Sequence, residues 1–134
     1  MSKKVYTIFA ALMIVSMLLT ACGTKAEEKP DCSKAETFCV GLVTDVGKID
    51  DKSFNQSTWE GVKQAETDLK AIVQYIETTD AKDYAKNIAT FADAKYDVIV
   101  TVGFALGEAT IAAAATYPDI KFIGVDQSQA APVA

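Results

Sequence analysis

From Cys39 to Val125 the chain alternates short apolar runs with amphipathic ones, and this alternation limits the fold more than any other feature of the sequence. Cys39–Thr44 reads as a first strand, Ala71–Ile76 as a second, Val98–Val102 as a third and Lys121–Val125 as a fourth. The third is an unbroken β-branched run, as expected of a strand buried on both faces. Between them, Ser53–Leu69 reads as a helix with Trp59, Val62, Ala65 and Leu69 on one face, and Ser53 and Gln56 have capping-box spacing. A second helix follows Asp80, which can cap it, and Tyr84, Ile88 and Phe91 give it an apolar stripe. Leu106–Tyr117 is the third helix, stopped by Pro118. The order βαβαβαβ implies an α/β fold: a parallel sheet, right-handed crossovers and helices on both faces.

The N-terminus carries a different signal. Lys3 and Lys4 precede the apolar run Val5–Leu19. As a helix that run would reach about 22 Å, short of a ~30 Å hydrocarbon core, so it reads as a signal-peptide core. Leu19-Thr20-Ala21-Cys22 then resembles a bacterial lipobox, in which the chain is cut before the cysteine and the Cys22 sulfur takes a diacylglycerol. The expected division is a signal peptide over 1–21, a lipid-anchored flexible tether over 22–38 and an α/β lobe over 39–134. The mature part would carry eleven lysines against eighteen acidic residues, a formal charge of −7. It would lie on the extracytoplasmic face of the cell membrane. In that oxidising setting Cys32 and Cys39 can close a small disulfide loop, with two free thiols as the alternative.

The acidic balance argues against a nucleic-acid partner. The chain has no histidine, which removes Ser-His-Asp and Cys-His catalysis and every His-ligated metal site. Asp50-Asp51 has no evident third ligand and reads as a solvated turn, so no metal and no cofactor are expected. Neither G-x-G-x-x-G nor G-x-x-x-x-G-K-[ST] occurs, which disfavours a nucleotide phosphate. In a parallel sheet the C-terminal strand ends share one edge, where ligands bind. That edge would collect Asp45, then Thr78, Thr79 and Asp80, then Gly103 and Phe104, then Asp126 and Gln127. Asp45 and Asp126 can accept hydrogen bonds from vicinal hydroxyls, and Phe54 beside Asn55 sets an aromatic plane next to an amide. A sugar could stack on Phe54 as well as a base could. Asp45 could equally cap a turn, and Phe54 could simply pack on the core, where Trp59 is expected.

Val40-Gly41-Leu42-Val43-Thr44-Asp45, the run Ile49-Asp50-Asp51-Lys52-Ser53-Phe54-Asn55-Gln56 and Trp59-Glu60-Gly61 together resemble the signature of the basic membrane lipoprotein family. The lipobox, Gly103-Phe104 and Gly124-Val125-Asp126 resemble it too. The resemblance implies a type I periplasmic-binding-protein fold, in which two α/β lobes close on ligand. It implies a purine-nucleoside receptor, not an enzyme, that serves the permease subunits of an ABC importer. It also implies site roles: Asp45 and Asp126 on ribose hydroxyls, Phe54 stacked on the base, Asn55 hydrogen-bonded to it, and Phe104 lining the cleft. Members of that family are more than twice this length, so the expectation is an incomplete first lobe without the second. A sugar or other small polar ligand in the same architecture, or a surface lipoprotein without a transport role, are the competing readings.

Overall fold

Residues 31–128 are described by a computed structural model. The signal peptide, Cys22 and the first part of the expected tether lie outside these residues.

Strand β1 is Cys39–Val46, and Cys39 to Thr44 are all buried, because this strand lies inside the sheet between two neighbours. Helix α1 (Phe54–Leu69), β2 (Ile72–Thr78), α2 (Tyr84–Asp93), β3 (Val98–Val102), α3 (Gly107–Thr116) and β4 (Lys121–Val125) follow in turn. Short 3-10 turns, Ala81–Asp83 and Phe104–Leu106, lead into α2 and α3. All strand pairings are parallel and the spatial order is β2-β1-β3-β4. The α/β architecture and its strand order in sequence agree with the expectation from the alternation. Elements differ mainly at their ends: β1 and β2 each run two residues further, and the third helix starts one residue later.

The crossover from β2 passes over β1 to reach β3, so the winding direction reverses there. With right-handed crossovers, α1 covers one face and α2 and α3 the other. Packing follows this division. Val62 of α1, with Trp59 and Ala65 at the rim, lies on Val40, Leu42, Val100 and Val102. Tyr84, Ile88 and Phe91 of α2 and Ala113 of α3 lie on Cys39, Val43 and Ile99. Two details of α1 differ from the sequence reading. Leu69 is 62% exposed and joins Phe54 and Ile123 along an apolar groove between α1 and the β3–β4 strands. Ser53 makes no capping hydrogen bond. Asp51 takes that role: its carboxylate accepts from the Ser53, Asn55 and Gln56 backbone N–H groups at 2.8, 3.2 and 3.1 Å.

Residues 31–38, placed in the tether by the sequence, are fastened to the lobe. Cys32 and Cys39 form a disulfide, both nearly fully buried in the α2–α3 core. The Cys39 N–H donates to Asp97 Oδ2 at 2.7 Å, which ties the same point to the start of β3. Closing so short a loop restricts the unfolded chain enough to contribute ~2–3 kcal/mol. The double variant Cys32→Ala/Cys39→Ala should therefore lose that much unfolding free energy in a urea titration and show a lower midpoint. An unchanged midpoint would show that the core holds segment 31–38 without the bond.

Candidate functional site

The reversal of winding lies between β1 and β3, whose chains leave the sheet toward opposite faces. A crevice opens at such a point, above the C-terminal strand ends. Asp45 stands at the end of β1, half-buried. Its carboxylate lies against the backbone of Gly103 at the end of β3, where an added Cβ would run into Asp45 Oδ2 and come within 2.6 Å of its Cγ. Gly103 also has φ +105°, a conformation that a side chain disfavours. Glycine thus serves both the turn and the approach of Asp45.

Phe104 follows on the 3-10 turn with 79% of its surface exposed. Asp126 stands beside it at the end of β4, linked through a 3.0 Å hydrogen bond from Gly103 N–H to Val125 O. Asp126 is exposed and left-handed, with φ 55°, a conformation that Asp tolerates better than most residues. The strand ends of β1, β3 and β4 therefore bring Asp45, Phe104 and Asp126 to one edge.

The end of β2 contributes framework instead. Thr78 is buried, its N–H donating to Thr44 Oγ1 at 3.2 Å and its hydroxyl accepting from Asn87 Nδ2 at 2.9 Å. Asp80 caps the following turn by accepting from Lys82 N–H at 3.0 Å. Lys82 Nζ also lies 2.7 Å from Asp80 Oδ2. These hydrogen bonds hold the Asp80 carboxyl below its ordinary value, the Lys82 side chain foremost.

Phe54 and Asn55 begin α1 at the same edge, and they part company there. Phe54 is 56% exposed, over the apolar groove and close to Val125. Asn55 is only 4% exposed, and its Nδ2 donates to Lys48 O at 3.2 Å. Among the described residues, Asn55 Oδ1 is the buried side-chain polar atom without a partner. An unpaired buried acceptor costs stability, so it marks a place where a donor would be welcome.

The β1–α1 loop that carries these residues is held at two carboxylates. Glu77 accepts from Ile49 N–H at 2.9 Å and pairs with Lys48 Nζ at 2.7 Å, and these two partners, the backbone N–H foremost, hold its carboxyl below the ordinary value. For Asp51, burial pushes the carboxyl up, but the three backbone donors outweigh it and the net direction is down. Lys48 is thus engaged with Glu77. Among the described residues, no group of three His, Cys, Asp or Glu side chains is placed to hold a metal ion.

The sequence placed Asp45, Gly103-Phe104 and Asp126 on a common edge, and they are found there. It placed Gln127 there as well, but it revealed neither the burial of Asn55 nor the hydrogen bonds of Gln127, whose side-chain amide donates to Thr101 Oγ1 at 3.0 Å and to Gly103 O at 3.2 Å. Its position directly after Asp126 was the available signal. As chemistry, the edge offers two carboxylate acceptors, two exposed aromatic faces and one buried amide oxygen, a set suited to a ligand with hydroxyls and a flat ring.

A protein from Listeria innocua named CD4+ T-cell-stimulating antigen is 31% identical over 96% of this chain. A Lactococcus lactis protein named ABC transporter nucleoside-binding protein BmpA is 32% identical over 94% of it. The chain spans only 38% and 37% of the length of these two relatives. Among solved structures, an ABC transporter solute-binding protein from Aeropyrum pernix superposes with a TM-score of 0.64 at 26% identity, over 70% of this chain and 26% of that one. Residues 38–131, which include every strand and helix described above and all five residues of the edge, match the family described as ABC transporter substrate-binding protein, PnrA-like; the chain belongs to this Bmp family.

Proposed function

We propose that this chain provides the first ligand-binding lobe of a lipid-anchored substrate-binding protein that delivers purine nucleosides to the permease of an ABC importer. The observation that carries the reading is the meeting of Asp45, Phe104 and Asp126 at three adjacent parallel strand ends, with Phe54 at the rim. Two carboxylates at one edge match the paired hydroxyls of a ribose, and Phe54 matches the flat face of a purine. Asn55 Oδ1 is the natural acceptor for an N–H on the base edge, once a small movement of the α1 start uncovers it. The nucleoside-binding name of the Lactococcus relative supports the choice of ligand. The lipobox supports anchoring through Cys22 outside the cytoplasm.

The test is a calorimetric titration of the protein expressed from its full reading frame with inosine, guanosine and ribose. The nucleosides should bind at least tenfold more tightly than ribose, since stacking of a base on Phe54 contributes on the order of 1–3 kcal/mol. Phe54→Ala should remove most of that preference while leaving ribose affinity unchanged. Equal affinity for ribose and inosine would move the assignment to a sugar, and no binding of any of them would end the transport reading.

A further inference from the structure

The edge is held by a directional chain of hydrogen bonds that starts at half-buried Gln127 and runs through two buried threonines. Its Nε2 donates to Thr101 Oγ1 at 3.0 Å. Thr101 Oγ1 and Thr110 Oγ1 are 2.8 Å apart, and Thr110 Oγ1 donates to Leu106 O at 2.9 Å. The directions follow from the inventory of protons. An amide nitrogen only donates, and the single Thr110 proton is spent on Leu106 O, so the Thr101 hydroxyl donates to Thr110. Both threonines are buried, at 0% and 3% exposure, where a missing partner is costly.

The same Gln127 amide reaches Gly103 O at 3.2 Å. The chain therefore grips the residue before the Phe104–Leu106 turn at one end and Leu106 O at the other. It ties both to the residue that follows Asp126. The fit around it is close, because a Cβ on Gly124 would run into Gln127 Oε1. Neither Gln127 nor the two threonines has a place in the ligand contacts described above.

We propose that Gln127 is a positioning residue: its side-chain amide locks the Phe104 turn to the β4 end, so that Phe104 and Asp126 stand in fixed relation before ligand arrives. The lock lowers the ordering cost of binding, the general source of affinity in a preorganised site. The ligand part of this inference rests on the nucleoside reading, and the positioning part does not.

The experiment has one arm without ligand. Leu106 N–H donates to Gly103 O at 3.1 Å, so its hydrogen exchange reports on the turn. In Gln127→Ala the Leu106 amide should exchange about tenfold faster while Leu42 and Val100 in the sheet stay unchanged, the mark of a local opening. Gln127→Glu keeps the size but cannot donate to Gly103 O, and it should show the same local effect. Unchanged Leu106 exchange, or an equal rise at all three amides, would overturn the proposal.

The second arm is a double-mutant cycle read by inosine titration. Gln127→Ala should lower affinity about tenfold in the wild-type background and by less than about twofold when Phe104 is already Ala, because coupled residues are not additive. Additive losses would overturn action through Phe104. A wild-type protein that does not bind inosine defeats the nucleoside reading, and the exchange arm then decides the positioning role alone.

Discussion

Alanine in place of Asp126 is expected to weaken inosine binding by about a hundredfold. Each hydrogen bond from a hydroxyl to a charged acceptor contributes ~1.5–3 kcal/mol, and two ribose hydroxyls on one carboxylate make ~3 kcal/mol or more. At 1.4 kcal/mol per decade that is about two orders of magnitude. The left-handed backbone complicates the simplest variant. At φ 55° alanine adds a conformational cost of ~1–2 kcal/mol that has nothing to do with ligand. Asp126→Gly removes the carboxylate and relaxes the backbone, and Asp126→Asn tolerates the left-handed region and keeps one acceptor oxygen. The expected order of affinity is wild type, then Asn, then Gly and Ala together, measured by titration calorimetry. If Gly restores binding, the backbone and not the carboxylate is what position 126 contributes.

Gly41→Ala should destabilise the fold by ~3 kcal/mol, the upper part of the usual range for overpacking a core. Gly41 lies in the middle of β1, which is hydrogen-bonded to β2 and β3 and cannot shift alone. A Cβ there would stand 2.6 Å from Phe91 Cγ and Cδ2, closer than van der Waals contact allows. Phe91 has little room to yield. It is 3% exposed, and its ring stands 4.7 Å from that of Tyr96, whose hydroxyl is fixed on Gln74. Equilibrium urea unfolding should show the loss. Phe91→Leu in the same chain should recover part of it, since the two changes share one volume. Additive losses in the double variant would place the strain elsewhere. Because small domains are stable by only ~5–15 kcal/mol, this single methyl group would consume a large fraction of the total.

Both predictions concern residues whose importance the sequence exposes unequally. Asp126 is visible because it follows an apolar run that can only be a strand, and parallel strands put their C-terminal ends together. Asp45 and Phe104 are legible by the same reasoning. Gly41 is different: a glycine inside a strand signals a close approach, but nothing local names Phe91 as the neighbour. Asn55 is different again. Its run with Phe54 marks the loop as special, yet only the fold turns Phe54 outward and Asn55 inward onto Lys48 O.

Element type and order follow from short-range physics, the periodicity of apolar residues and the backbone preferences of β-branched runs, Gly and Pro. These are properties of neighbours along the chain, and the sequence carried them almost without loss: among the described residues, four strands, three helices and a common edge that gathers Asp45, Phe104 and Asp126. The family resemblance was legible for the same reason, since it resides in continuous runs. Partnerships across the fold are another matter. Cys39 N–H meets Asp97 across 58 positions, Ile49 N–H meets Glu77 across 28, and Gln127 meets Thr101 across 26. Such pairs depend on which strands lie side by side and which face each crossover takes. The tertiary fold alone chose Asp51 over Ser53 as the cap of α1, fastened segment 31–38 to the core and made Gln127 the clasp of the edge. A hydrogen bond is decided by about half an ångström, and no local pattern fixes distance on that scale between residues so far apart in the chain.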